Sequence, residues 1–270
     1  MKIFIKASKN KNCVPALDEI KSIIEKYNHS YVLSCDDIKQ DEDYIKNCDL
    51  IITVGGDGTL LSMKTPAAKY NKDILGINVG RLGFLTAIEG NQLESLCDFF
   101  ECRNNFEIKK HSLLKARINN GNWRYCLNDV VIAKHMFSNT ISTEVFCNES
   151  KIASIVCDSI IAATSTGSTA YSLSAGGPIV DNDLNALVIS PVAVHSLNAT
   201  PMVVAKDKKI TVKFDRTRSQ DIYVSFDGEN HKQIDENDIV TIQLSNKSLN
   251  IYSALDMGQF AKVDKKIKSR

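Results

Sequence analysis

No apolar run in this 270-residue chain approaches the roughly 18 residues a transmembrane helix needs, which excludes a helical membrane span. No secretory leader is expected either. Met1-Lys2-Ile3-Phe4-Ile5-Lys6 alternates as a short strand does, so a soluble, cytoplasmic protein is expected. Charge of one sign is also missing: 33 Lys and Arg against 32 Asp and Glu leave +1. That balance makes no global case for nucleic acid or an anionic membrane as partner, and any basic site must be local. The eight cysteines (Cys13, Cys35, Cys48, Cys97, Cys102, Cys126, Cys147, Cys157) form no Cys-x-x-Cys pair and have no histidine at metal spacing. Neither a zinc site nor a disulfide framework is signalled, and most should be reduced, small core residues. No internal repeat or low-complexity linker interrupts the chain.

What is present divides into two textures, and the length suits two small domains. The first half alternates strands and helices. Pro15 to Tyr27 places Ala16, Leu17, Ile20, Ile23, Ile24 and Tyr27 on one helical face. A weaker strand around Tyr31–Leu33 precedes an acidic segment, Asp36 to Asp43, read as a solvated loop. A helix from Thr59 to about Tyr70 should be kinked or shortened by Pro66, and another covers Gln92–Cys102. From about Phe106, short alternating runs separated by turns such as Asn119–Asn122 and Asp227-Gly228 describe a mostly β half, with strands at 113–118, 123–127, 129–134, 140–147, 151–156, 158–164, 186–190, 202–205, 208–214, 222–226, 238–244 and 249–253. Such a series fits a two-sheet sandwich or distorted barrel. The basic tail, Lys262 to Arg270, is expected to be solvated and partly frayed.

Three stretches carry chemistry. The apolar run Asp49–Val54 empties into Gly55-Gly56-Asp57-Gly58-Thr59. In a parallel sheet this turn lies beyond the carboxyl end of a buried strand, where ligands gather. Its glycines leave backbone N–H groups open to an anion around a single carboxylate. A second apolar strand, Asp73–Val79, ends in Gly80-Arg81-Leu82-Gly83-Phe84-Leu85, so two strand ends in one half have loops suited to phosphates. Arg81 is the cation there, either a phosphate partner or a solvated loop arginine. The third stretch runs from Asp158 to Pro178, dense in hydroxyls and small residues, with a strand leading to a turn and a short helix that would present Ser168, Thr169 and Tyr171 as donors. Such a run can wrap closely around a ligand rich in phosphates and hydroxyls.

Together these residues resemble the NAD kinase family. The first half supplies Gly-Gly-Asp-Gly-Thr at 55–59 and Gly-x-Leu-Gly-Phe-Leu at 80–85. The second supplies Leu127-Asn128-Asp129-Val130, the Asp158 segment, Thr166 to Pro178, Pro191 to Leu197 with His195-Ser196-Leu197, and Ser225-Phe226-Asp227-Gly228. The first motif is shared with diacylglycerol-type and sphingoid lipid kinases, which are the alternative reading; the absence of an apolar anchor or polybasic stripe argues against it. The 166–178 run and the Asn-acid pair narrow the match.

The resemblance implies an N-terminal Rossmann-like α/β domain over 1–105, rejoined by about 255–270, then a β-sandwich-like domain over 106–254 that binds NAD and mediates a homodimer or homotetramer, with the site between the domains. It implies phosphoryl transfer from ATP or polyphosphate to the adenosine ribose 2′-hydroxyl of NAD, giving NADP. A carboxylate within reach of that poor nucleophile can take its proton, and Asp57 is the candidate. Gly55, Gly56, Gly58, Thr59 and Arg81 would handle phosphates, with Mg²⁺ held by the phosphates and no dedicated protein cage. By motif position, Gly58 lines the same pocket and Asn128 and Asp129 bind hydroxyls or the base of NAD. Thr166, Thr169, Ala170, Tyr171 and Ser174 meet the adenosine portion, and Asp158 the nicotinamide side, within a subunit or across an interface. Ala193 forms a ligand wall, and Asp227 contacts NAD. Asp129 stands where the family commonly has glutamate, keeping the charge with one methylene less. Val156 and Asn139 occupy positions where some relatives have cationic or polar ligand contacts, which leaves substrate preference open.

Overall fold

A computed structural model describes residues 1–10, 13–35, 41–80, 83–102, 105–135, 139–195, 199–215, 221–255 and 258–268. The chain forms two compact units, Met1–His111 with Ser248–Arg270, and Ser112–Lys247.

The first unit begins with β1 (Lys2–Ala7), α1 (Cys13–Lys26), β2 (Ser30–Ser34), α2 (Glu42–Asn47), β3 (Leu50–Gly55), α3 (Asp57–Ser62), α4 (Lys64–Tyr70), β4 (Asp73–Asn78), the two-residue β5 (Ile88–Glu89) and α5 (Ser95–Phe100). Its sheet is parallel in the order β2-β1-β3-β4, with Ile5 opposite Ile52 and Ile52 opposite Leu75. Every residue of β3 is buried, as a strand covered on both faces requires. The apolar stripe of α1, Ala16, Leu17, Ile20, Ile23 and Ile24, packs on Ile3, Ile5, Ile52 and Leu75.

The helix expected over 59–70, kinked or shortened by Pro66, is two helices divided at Met63. Pro66 has no N–H to return to the Ser62 carbonyl and its ring crowds that oxygen, so the first helix stops at Ser62 and the proline sits in the first turn of the next. Part of the acidic segment forms α2 over Glu42–Asn47; residues 36–40 lie outside the described ones.

The second unit contains β6 (Phe106–Ile118), β7 (Arg124–Cys126), β8 (Asp129–Lys134), β9 (Ile141–Cys147), β10 (Ser150–Cys157), β11 (Ser159–Thr164), the short α6 (Tyr171–Ser174), β12 (Ala186–Val192), β13 (Met202–Ala205), β14 (Lys209–Phe214), β15 (Ile222–Phe226), β16 (Glu229–Ile234) and β17 (Val240–Ala254); β6 starts and β17 ends in the first unit. One sheet is antiparallel β13-β12-β11-β8-β15-β16; the other joins β10, β9, β14 and β17, with β6 paired to β17 and β7. Val130, Ile132, Ile160 and Ala162 of the first sheet share a core with Val145, Ile155, Val212 and Ile242 of the second. The alternate residues Val131, Ile161 and Ala163 face a smaller cluster with Val180. This two-sheet packing is the expected sandwich, with β11 buried on both faces.

The strands expected over 238–244 and 249–253 are one, β17. Its last part returns to the first unit, Ile251 opposite Ile74. The tail expected to fray instead forms α7 (Gln259–Lys268), with Val263 buried. One apolar residue docked into the unit anchors a segment whose composition alone reads as solvated. Among the described residues no helix is long and apolar enough to cross a membrane.

Candidate functional site

In the first unit the polar centre is built at the carboxyl ends of β3 and β4. Gly55 closes β3, and a Cβ there would lie 2.2 Å from Thr59 Oγ1, so the threonine side chain covers a glycine that cannot be enlarged without moving it. A Cβ on Gly56 or Gly58 would meet no atom of the described residues within 4 Å. These two glycines therefore border open space where a ligand can approach the backbone. Asp57 opens α3, and its carboxylate is oriented by two main-chain donors: Phe84 N–H to Oδ2 at 3.0 Å and Leu85 N–H to Oδ1 at 3.1 Å. The two glycine turns thus meet at one carboxylate. A Cβ on Gly83 would fall 2.8 Å from Asp57 Oδ1 and 2.5 Å from Thr86 Oγ1, which explains the glycine. The Thr86 hydroxyl is buried without a hydrogen-bond partner among the described residues. Asn78, 1% exposed at the end of β4, accepts from Gly80 N–H and donates to Glu89. Arg81 and Leu82 lie outside the described residues.

In the second unit the centre is the turn Leu127-Asn128-Asp129, framed from two sides. Asp227 takes its three amides on one carboxylate: Leu127 N–H to Oδ2 at 2.9 Å, Asn128 N–H to Oδ1 at 2.8 Å and Asp129 N–H to Oδ1 at 3.0 Å. Asp227 and Gly228 have φ of +52° and +72°, a two-residue hairpin turn between β15 and β16 that requires positive φ at both positions. From the other side, Thr164 donates its N–H to the Asn128 carbonyl at 2.8 Å and its hydroxyl to the Leu127 carbonyl at 2.6 Å. The Thr164 Oγ1 also accepts the Gly167 N–H at 2.9 Å. The 166–169 helical turn rests directly on Asn128, for a Cβ on Gly167 would lie 2.0 Å from the Asn128 carbonyl oxygen.

The hydroxyl-rich run is partly structural. Ser168 is fully buried, donating to the Ser165 carbonyl and accepting from Val180 N–H, so the expectation that it is presented as a donor is corrected. Ser172 pairs with Ser190 at 2.9 Å beneath Gly177, where a Cβ would strike both hydroxyls. Thr166 is buried, and the Thr169 hydroxyl is turned to the Thr166 carbonyl. Ala170 is half-buried; Tyr171 and Ser174 are exposed. Asn128 is half-buried and Asp129 buried at the start of β8. Asp158 forms an ion pair with Lys134 at 3.1 Å. Beside it the Cys157 thiol is pushed up to about 12, by burial first and the Asp158 charge second, so it stays protonated. Ala193 is exposed and left-handed, φ +50°. Val156 is half-buried and Asn139 exposed; Ser196 and Leu197 lie outside the described residues. Among the described residues no group of three or more His, Cys, Asp or Glu is placed to hold a metal ion.

Comparison with known proteins is decisive at this point. The ATP-NAD kinase N-terminal domain matches residues 14–101 and the ATP-NAD kinase C-terminal domain residues 127–254. The chain belongs to the NAD kinase family. An NAD kinase of Caldanaerobacter subterraneus subsp. tengcongensis is 34% identical over 238 residues, 86% of this chain and 82% of the relative. One of Legionella pneumophila is 35% identical over 212 residues, 77% and 72% of the two chains. The fold is shared with an NAD kinase from Archaeoglobus fulgidus in complex with ATP (TM-score 0.81, 23% identity, all of both chains). It is shared too with yeast NADH kinase complexed with NADH (TM-score 0.84, 21% identity, all of this chain and 87% of that one).

The sequence motifs mark the turns but not all of the groups that hold them. The amides of Phe84 and Leu85 are main-chain donors with no side-chain signature. Thr164 lay within the hydroxyl-rich run without a role, and Lys134 had no sequence signal linking it to Asp158. Gly167 had one: a glycine set inside a hydroxyl run is what close backbone packing demands.

Proposed function

We propose that the protein transfers the γ-phosphoryl group of ATP to the 2′-hydroxyl of the adenosine ribose of NAD, giving NADP and ADP, with Asp57 accepting the hydroxyl proton. The observation that supports it is Asp57 itself, a carboxylate at the end of β3, held by two amides and bordered by open glycines. Each oxygen accepts one amide and keeps lone-pair capacity for the ribose hydroxyl. As the O2′–Pγ bond forms and the bond from Pγ to the departing ADP oxygen breaks, the proton passes from O2′ to Asp57 and then to solvent. The donor enters as its Mg²⁺ complex, whose charge offsets that on the transferring phosphoryl group. Gly55, Gly56, Gly58 and Thr59 line the phosphate side, with Arg81 as the cation of the neighbouring turn.

Asn128 and Asp129 recognise the base or hydroxyls of NAD, and Thr166, Thr169, Ala170, Tyr171 and Ser174 its adenosine portion. Asp158 takes the nicotinamide side and Ala193 a wall of the pocket. Asp227 contributes through the turn it holds. The working form proposed is a cytoplasmic homo-oligomer, readable by light scattering. The lipid-kinase reading rested on the 55–59 turn alone and is not favoured, since both domain matches are to NAD kinases.

Purified protein incubated with NAD, ATP and Mg²⁺ should yield NADP, detected by an NADP-specific dehydrogenase; folded protein giving none sinks the proposal. A parallel arm with polyphosphate identifies the donor. Asp57→Asn should abolish turnover and retain NAD binding by calorimetry, and near wild-type turnover would remove Asp57 as the base.

A further inference from the structure

The C-terminal helix ends its reach at the turn that orients Asp57. Lys262 of α7 donates from Nζ to the Thr86 carbonyl at 3.2 Å and to the Phe84 carbonyl at 3.5 Å, the outer limit of such a bond. One peptide group, Phe84 C=O with Leu85 N–H, therefore has the ammonium at its oxygen and the Asp57 carboxylate at its hydrogen. In a trans peptide the two bonds point in opposite directions, so a cation at one end and an anion at the other both align with its dipole. A hydrogen bond polarised from both ends is stronger than either alone. The neighbouring Phe84 N–H holds the other carboxylate oxygen. Val263, next to Lys262 along the helix, is 4% exposed and anchors the helix there.

We infer that Lys262 is a positioning residue for phosphoryl transfer, setting the orientation of the Asp57 carboxylate through the 84–86 turn. The C-terminal helix is then part of the catalytic apparatus without touching substrate. Because the inference rests on Asp57 acting as the base, its test includes a readout independent of turnover.

Lys262→Met keeps the stem and removes the ammonium; Lys262→Arg keeps the charge. In the full chain, Lys262→Met should lower kcat about 10-fold or more, since small misplacement of a reacting group is costly, with the KM for NAD within about 2-fold and the melting temperature little changed. Its Phe84 and Leu85 amides should exchange hydrogen about 10-fold faster by NMR, a loss of protection that reports the turn directly. Lys262→Arg should recover most of both. The inference is overturned if Lys262→Met keeps kcat within about 2-fold of wild type and its amide protection intact, or if Lys262→Arg is as impaired as Lys262→Met. If wild-type protein makes no NADP, the kinase reading fails, and amide exchange alone decides whether Lys262 braces the turn.

Discussion

Replacing Asp227 by Asn separates recognition from chemistry in the second unit. Asp227 accepts three amides, two on Oδ1 and one on Oδ2. Asn keeps one oxygen for the Asn128 and Asp129 amides but turns an NH₂ toward the Leu127 N–H, losing that bond and weakening the other two by removing the charge. With charge-assisted bonds worth about 1.5–3 kcal/mol and neutral ones about 1 kcal/mol, the cost is about 2.5 kcal/mol or more. Asn is as suited as Asp to the left-handed turn position, so no backbone strain is added. Asp227→Ala loses all three bonds and adds about 1–2 kcal/mol of left-handed strain, for about 6 kcal/mol or more in total. Urea unfolding should rank wild type, Asn and Ala in that order. In the NADP assay Asp227→Asn should raise the KM for NAD about 10-fold, a recognition loss of about 1.4 kcal/mol, with kcat changed less. The reasoning is refuted if Asp227→Asn loses kcat while KM and stability stay at wild-type values, because the carboxylate would then act on the reacting atoms. An Ala variant no less stable than the Asn variant would refute the turn geometry.

Three other outcomes follow from particular residues. Gly167→Ala places a Cβ 2.0 Å from the Asn128 carbonyl oxygen, and since backbone must move, stability should fall by about 3 kcal/mol or more in denaturant titration. Ala193→Gly relieves a left-handed alanine and should raise stability by about 0.5–1 kcal/mol, seen as a higher melting temperature; a decrease would mean that the methyl group packs in the fold. His111, 6% exposed, is lowered from 6.5 to about 4 by burial first, then by the charges of Lys109 and Lys262. The unfolded chain takes up its proton before the folded one does. This histidine's contribution is therefore complete above pH 6.5 and is lost as pH falls toward 4, costing about 2 kcal/mol between pH 7 and 4.5. His111→Gln should flatten that part of the urea-midpoint profile; an unchanged slope would assign the loss to other groups.

Local patterns were enough for much of the fold. The β-branched run ending at Gly55 is a buried strand because it is short, rich in β-branched residues and stopped by glycine, and the stripe from Ala16 to Ile24 packs as its spacing demands. The strands over 129–134, 202–205 and 222–226 fall where alternation places them. Errors came where a contact made outside a segment outweighs the segment's own composition. The polar run Glu229–Ile234 becomes a strand because the Asp227-Gly228 turn returns it alongside β15. The basic tail is helical because Val263 is buried.

By itself, then, the sequence determined the two textures of the chain, the glycine turns with their single acid, and the family. Those are properties of residue type and spacing, which survive without coordinates. The tertiary structure decided what each acid is bonded to. Asp57 and Asp227 look alike in the sequence, each an acid beside glycine at the end of a strand. One holds the amides of Phe84 and Leu85, 27 and 28 positions away, and the other spans 98 to 100 positions to the amides of Leu127, Asn128 and Asp129. Main-chain donors are the same at every residue, so only the folded path of the chain selects which of them meet a carboxylate.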